Sequence, residues 1–174
     1  MLAENLQDVF QLSLELAFDC ELHLVEHLPK MANAASSSQV RSAFELHLDD
    51  AKAHQNRLEQ IFARLNRASA AEHNPVIRAI AGEGEKLIKH IESSPLLDAV
   101  LIMHGSQMAH YQTALYGSLA AFARTLNHND EARLLEQSQN EARLAIEALK
   151  EIGAASVYRE AAAFQNTPHI FPLL

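Results

Sequence analysis

The 174 residues carry 22 acidic side chains against 14 lysines and arginines, for a formal net charge of −8. No basic stripe offsets that charge, which excludes the phosphate-backbone contacts of a nucleic-acid binder. Apolar residues make up 48% of the chain, with only 5 glycines and 5 prolines. That composition is typical of one helical domain, long enough to bury a core without disulfides.

The sequence predicts neither a membrane span nor an export signal. No segment approaches the ~20 apolar residues of a membrane span, and residues 1–10 lack the basic and apolar runs of a leader. The lone cysteine, Cys20, suits a reducing compartment. We therefore expect a soluble, cytoplasmic protein.

The first predicted helix covers residues 5–30, with a kink or a new turn at Pro29, which lacks a backbone donor. Cys20 and Glu21 fall on its inner face. A buried carboxylate is costly unless it is paired or bound to metal. Glu21 is therefore predicted to be a metal ligand or the partner of another polar core group.

The second predicted helix has the clearest pattern. Its apolar stripe, in steps of three and four, contains Val40, Phe44, His47, Ala51, His54, Leu58, Ile61 and Leu65. Two of these eight positions are histidines, and Asp50 lies about 40° round the helix from His54. This helix therefore brings several ionisable groups to the core.

After residue 65 the periodicity fades, and Asn74-Pro75 marks a break. Short helices at 76–81 and 83–91, interrupted by Gly82 and Gly84, are predicted within a long crossover. Pro95 suits the first position of a third long helix over residues 95–125. Its predicted inner face consists of Val100, Met103, Gln107, His110, Ala114, Gly117 and Ala121.

A short turn at residues 126–130 leads to a fourth long helix that ends near Ile152, with Gly153 as its predicted C-cap. The predicted order is two long helices, a crossover that contains short helices, and two more long helices. This is the connectivity of a ferritin-like bundle. We predict an all-α, ferritin-like antiparallel four-helix bundle over residues 1–153, with short extra helices in the crossover.

Residues 154–174 are predicted to be a C-terminal tail. Residues 157–164 have the pattern of a short amphipathic helix, and residues 167–174 end the chain on apolar side chains. One interpretation is that the tail packs on the bundle or on a partner subunit. The other is that it docks a protein partner, because exposed apolar termini are uncommon without a use.

A ferritin-like di-metal site takes a carboxylate from each of two helices and a Glu-x-x-His pair from each of the other two. This chain offers Glu21, the pair Asp50 and His54, and Glu141. These acids supply too little charge and too few bridging oxygens for two dications. A single-ion site with these ligands and water stays open as an alternative, with iron or manganese as the metal.

The other alternative is a metal-free network of hydrogen bonds, since buried neutral histidines satisfied by polar groups are ordinary. His47 and His110 would then support the site without binding an ion. The residues of this network would be Glu21, His47, Asp50, His54, Gln107 and His110.

Several segments between residues 4 and 152 resemble the bacterial YciE/YciF family of ferritin-like, stress-associated proteins. They include Leu6-Gln7-Asp8-Val9-Phe10, His27-Leu28-Pro29-Lys30, His47-Leu48-Asp49-Asp50, and His110-Tyr111 followed by Tyr116-Gly117. Members of that family usually carry Glu-His-Tyr-Glu on the third helix, where this chain reads Ala109-His110-Tyr111-Gln112. They have paired acids on the fourth, where it has Glu141 and Ala142. The resemblance implies a metal site kept on the first two helices and stripped on the others.

The chain has no nucleophile-and-base pattern and no phosphate-binding loop, so no catalytic residues are predicted and a non-enzymatic role is favoured. Three functions follow from these patterns. The first is a stress-associated bundle that acts through its surface, as a homodimer and without a cofactor. The second is a metal-binding protein with weak redox activity, and the third is an interaction module that uses the tail.

Overall fold

A computed structural model describes residues 3–92 and 94–164. Helices are the only regular structure in these residues, as predicted. They are α1 (Leu6–Ala34), α2 (Ser38–Arg64), α3 (Pro75–His90), α4 (Pro95–Thr125), α5 (Asn129–Ile152), a π-helical turn (Gly153–Val157) and α6 (Tyr158–Ala163). Within the same residues, no helix has the length and apolar content that crossing a bilayer requires.

Most helix starts follow the sequence signals. Asn5, Ser37, Asn74 and Ser94 cap α1, α2, α3 and α4, each through its side-chain oxygen. Proline occupies the first turn of both α3 and α4, where a missing backbone donor costs nothing. Pro29 lies inside α1, which continues to Ala34, four residues beyond its predicted end at residue 30. Buried contacts of the side chains that follow it stabilise this last turn.

The four long helices share one core. Helix α1 contacts α2 and α4, and α5 contacts the same two helices from the other side. One apolar cluster fills the end formed by residues 20–35 of α1, and a second fills the end formed by residues 10–18. Glu21 of α1 lies where one cluster gives way to the other. The chain therefore places its buried polar groups at mid-height of the core.

Two predictions about the crossover and α4 are wrong. Helix α3 is continuous through Gly82 and Gly84, because Ile77 and Ala81 dock it against the core. On α4 the inner face is misplaced, and Gln107 and His110 are exposed. Apolar residues occur nearly all round α4, so periodicity could not select the face that packs. The buried positions include Leu101, Met108, Gln112, Tyr116 and Leu119.

The helical conformation continues beyond Gly153, the predicted C-cap. This glycine has φ −57° and ψ −49°, which is right-handed helix and not the left-handed conformation of a glycine C-cap. Its lack of a side chain leaves room for the ring of Tyr158, which a Cβ would approach to 2.5 Å. The predicted short helix is present as α6, which packs on α4. The apolar end at 167–174 lies outside the described residues.

Candidate functional site in the helical core

A cluster of polar side chains, here called the polar core, occupies the middle of the molecule. Its inner members are at most 2% exposed, whereas its two outer members are partly exposed. The inner members are Glu21, His47, His54, Gln112 and Tyr116, and the outer members are Arg57 and Glu141. The stripe on α2 therefore brings both histidines to the core, as predicted.

Gln112 connects the inner members. Its Oε1 lies 2.7 Å from Nε2 of His47, which donates to it. Its Nε2 donates to both carboxylate oxygens of Glu21, at 2.9 and 3.1 Å, and lies 3.3 Å from Nδ1 of His54. One buried amide of α4 therefore links α1, which carries Glu21, to α2, which carries both histidines. Without it, each of these groups would lose a partner in a medium that has no water to replace it.

His54 lies between two carboxylates. Its Nε2 is 3.0 Å from Oε2 of Glu141, and its Nδ1 is 3.4 Å from Oε1 of Glu21. A neutral ring with its proton on Nε2 satisfies these contacts, because Nε2 then donates to Glu141 and Nδ1 accepts from the Gln112 amide. The neutral form thus needs no further partner.

Arg57 holds the outer carboxylate. Its guanidinium donates to both oxygens of Glu141, at 2.5 and 2.8 Å, and to the Ser138 hydroxyl at 3.1 Å. Although burial raises the pKa of the Glu141 carboxyl, hydrogen bonds from Arg57 and Gln137 outweigh that effect and leave the pKa below its ordinary value. Glu141 therefore stays ionised, and its charge is balanced within the protein.

On the inner side, Tyr116 donates from its hydroxyl to Oε1 of Glu21 at 2.7 Å. Burial and the nearby Glu21 carboxylate raise the pKa of the Tyr116 phenol well above its ordinary value. Burial, followed by Glu21 and Asp19, likewise raises the pKa of the Cys20 thiol. The phenol and the thiol are thus held in their neutral forms, which suits a structural role.

The donors proposed for a metal do not converge on one point. A single ion needs its ligands about 2 Å from a common centre, yet Glu21 and Glu141 face opposite nitrogens of the His54 ring. Both carboxylates are already held by neutral or cationic donors of the chain. In the residues that the structure describes, no group of three or more His, Cys, Asp or Glu side chains could hold a metal ion. The folded arrangement therefore does not fit a resident metal.

Two other predicted members stand apart. Asp50 is half-buried, and among the described residues it has no hydrogen bond or ion pair. Burial, and then the Glu141 charge, raises the pKa of its carboxyl. His110 points away from the polar core and is exposed. The amide that sequence analysis assigned to Gln107 is supplied by Gln112, which is one helical turn from Tyr116. The spacing of one turn between these two polar residues on α4 is the sequence signal that could have identified Gln112.

One buried histidine lies outside the polar core. His104 of α4 is 1% exposed, its ring lies beside Gly84 of α3 where an added Cβ would be 3.7 Å away, and neither ring nitrogen has a hydrogen-bond partner. Burial lowers its pKa, although Glu83 opposes that shift. The native protein therefore holds an imidazole whose polarity is uncompensated.

We expect His104→Leu to raise the free energy of unfolding by about 1–2 kcal/mol at pH 7, because it removes a buried polar group without partners. Because the native pKa is depressed, the unfolded chain binds more protons, and stability falls as pH drops below about 6.5. Urea denaturation at pH 7 and 5 measures both effects. His104→Leu should lose less stability than the wild type between these values, and an equal loss would contradict the argument.

Comparison with known proteins gives consistent matches. The sequence model of a family described as a domain of unknown function (DUF892) matches residues 5–162, which extends through most of α6. Protein YciF of Escherichia coli (strain K12) is 27% identical over 139 residues, which are 79% of this chain and 84% of YciF.

Two solved structures are also similar. The crystal structure of the E. coli stress protein YciF has a TM-score of 0.86 and 25% identity, and the match covers 90% of this chain and 99% of that one. YcfI from Rhodopseudomonas palustris, which has been proposed to be a structural protein, has a TM-score of 0.82 and 26% identity. That match covers 84% of this chain and 94% of YcfI.

Proposed function

This chain belongs to the DUF892 family, and we propose that it is a ferritin-like four-helix bundle that serves in the stress response as a structural or interaction protein. The resemblance to the YciE/YciF family is confirmed by the match to YciF. A stress protein and a proposed structural protein are among its relatives. In this proposal the protein is cytoplasmic, forms a homodimer and catalyses no reaction of its own.

The observation that carries this proposal is the way the chain neutralises its own core. The Arg57 guanidinium contacts both oxygens of Glu141, and the Gln112 amide contacts both oxygens of Glu21. In a di-metal protein, cations would occupy the space between such carboxylates. Here a guanidinium and an amide satisfy them, so the core is stable without a metal.

The alternative is a protein that binds iron or manganese through Glu21, Asp50, His54 and Glu141, with weak redox or metal-handling activity. One observation favours it, since Asp50 has neither a hydrogen bond nor an ion pair among the described residues. Binding would require Arg57 to leave Glu141 and Gln112 to leave Glu21. Each departure would leave a buried donor to be satisfied elsewhere.

Metal content distinguishes the two. We expect untagged protein, expressed with added iron and manganese, to carry far less than one equivalent of either metal by mass spectrometry. The Glu21→Ala, Asp50→Ala double variant should carry the same trace. Stoichiometric metal in the wild type that disappears in the double variant would overturn the proposal and support the alternative.

Light scattering after size-exclusion chromatography tests the quaternary part of the proposal. We expect a mass of twice the 19.3 kDa chain at micromolar concentration. A monomeric mass at all concentrations would remove the homodimer from the proposal and leave the conclusion about the polar core unaffected, because the polar core lies within one chain.

A further inference from the structure

A cavity of about 210 Å³ opens between α2 and α5, beside the polar core. Its walls are apolar except for His47 and Asp50 of α2. The apolar lining residues are Ala43, Leu46, Leu144, Ala145 and Ala148. Leu46 and Leu144 are each 68% exposed, the highest value for a large hydrophobic residue in the part of the chain that the structure describes. The cavity therefore joins an apolar entrance to two polar residues.

Both polar residues are hydrogen-bond acceptors that lack a donor. His47 is 2% exposed, and its Nε2 proton is committed to Gln112, which leaves Nδ1 as a lone pair with no partner. Asp50 has no hydrogen bond or ion pair within residues 3–92 and 94–164. Buried polar groups in native proteins are nearly always paired. The orphaned Nδ1 of His47 is such a group and points to a ligand that donates a hydrogen bond, and the half-buried carboxylate of Asp50 offers that ligand a second acceptor at the same cavity.

The negative charges around the cavity favour a positively charged ligand. Asp50 lies in the field of Glu141, which acts on its carboxyl more strongly than any other charged group. The guanidinium of Arg57 is engaged by Glu141, and neither an arginine nor a lysine is among the lining residues within the part of the chain that the structure describes. The volume is below the ~300–1,000 Å³ of pockets for drug-sized ligands, so the ligand is small.

We propose that this cavity binds a small organic ammonium ion, with Asp50 pairing with its charge, His47 accepting a second N–H bond and the apolar walls enclosing its alkyl part. A primary ammonium carries three N–H donors, which suits two acceptors and solvent. This site shares only Asp50 with the metal-binding alternative, because Glu21, His54 and Glu141 do not line the cavity.

The test uses the full-length protein labelled with ¹⁵N and titrated with n-butylammonium chloride, with sodium chloride added to hold ionic strength constant. We expect saturable amide shifts confined to residues 43–50 and 144–148. Sodium pentanoate, which carries the same butyl chain and the opposite charge, should produce no saturable shift. Equal responses to both salts, or no saturation with butylammonium, would overturn the proposal and leave water as the occupant.

Variants separate charge from shape. Asp50→Asn should weaken butylammonium binding by about tenfold or more, because an ion pair becomes a neutral contact. The matched control is Asp49→Asn, since Asp49 is the adjacent carboxylate, is 76% exposed and faces Lys52 at 3.5 Å. It should bind as the wild type does. Ala145→Leu, checked for an unchanged circular dichroism spectrum, should abolish binding by filling the cavity. Wild-type affinity in Asp50→Asn would also overturn the proposal.

Discussion

Gln112→Leu is expected to lower the free energy of unfolding by about 3–5 kcal/mol, the largest effect of any single change in the polar core. The substitution removes the acceptor of His47 and the donor that serves Glu21 and His54. Leucine has a similar volume, so the loss reflects unsatisfied polar groups more than a cavity. Chemical denaturation at pH 7 measures it.

The matched control is Gln107→Leu on the same helix. Gln107 is exposed, so we expect its replacement to change the free energy of unfolding by no more than about 0.5 kcal/mol. Similar losses for the two variants would show that the polar core does not depend on the buried amide. A large loss of unfolding free energy for Gln107→Leu alone would support the inner face of α4 that the sequence predicts.

These two glutamines also show where sequence reasoning succeeded and where it failed. Helix α2 alternates clearly between apolar and polar faces, so seven of its eight predicted stripe positions are buried and Leu65 is partly so. Helix α4 carries apolar residues on all sides, because it packs against α1, α3, α5 and α6. A helix with several packed faces gives no single periodic stripe, and so the sequence indicated Gln107 where the fold uses Gln112.

The polar core was therefore predictable in part. Glu21, His47 and His54 follow from single-helix periodicity, since each interrupts an apolar stripe. The link between Arg57 and Glu141 spans 84 positions in the chain, and no local pattern indicates it. Glu141 was predicted as a metal ligand because an acid at that height of the bundle suits a cation. The fold instead supplies a cation from its own chain.

That internal cation gives the second large effect. Arg57→Met should lower the free energy of unfolding by about 2–3 kcal/mol at pH 7, because it leaves the partly buried Glu141 carboxylate without its guanidinium. Methionine keeps the apolar stem of the side chain, so packing changes little. Glu141→Gln and the double variant complete a thermodynamic cycle, and we expect a coupling energy of about 1–3 kcal/mol between the two side chains.

The pH dependence identifies the source of that coupling. The native pKa of Glu141 lies below its ordinary value, so the ion pair contributes fully above the unfolded pKa of about 4.3 and is lost as pH falls through the native pKa. Arg57→Met should therefore be destabilising at pH 7 and much less so at pH 3. A penalty equal at both values would assign the loss to packing. The guanidinium would then stabilise the polar core through packing and not by balancing the Glu141 charge.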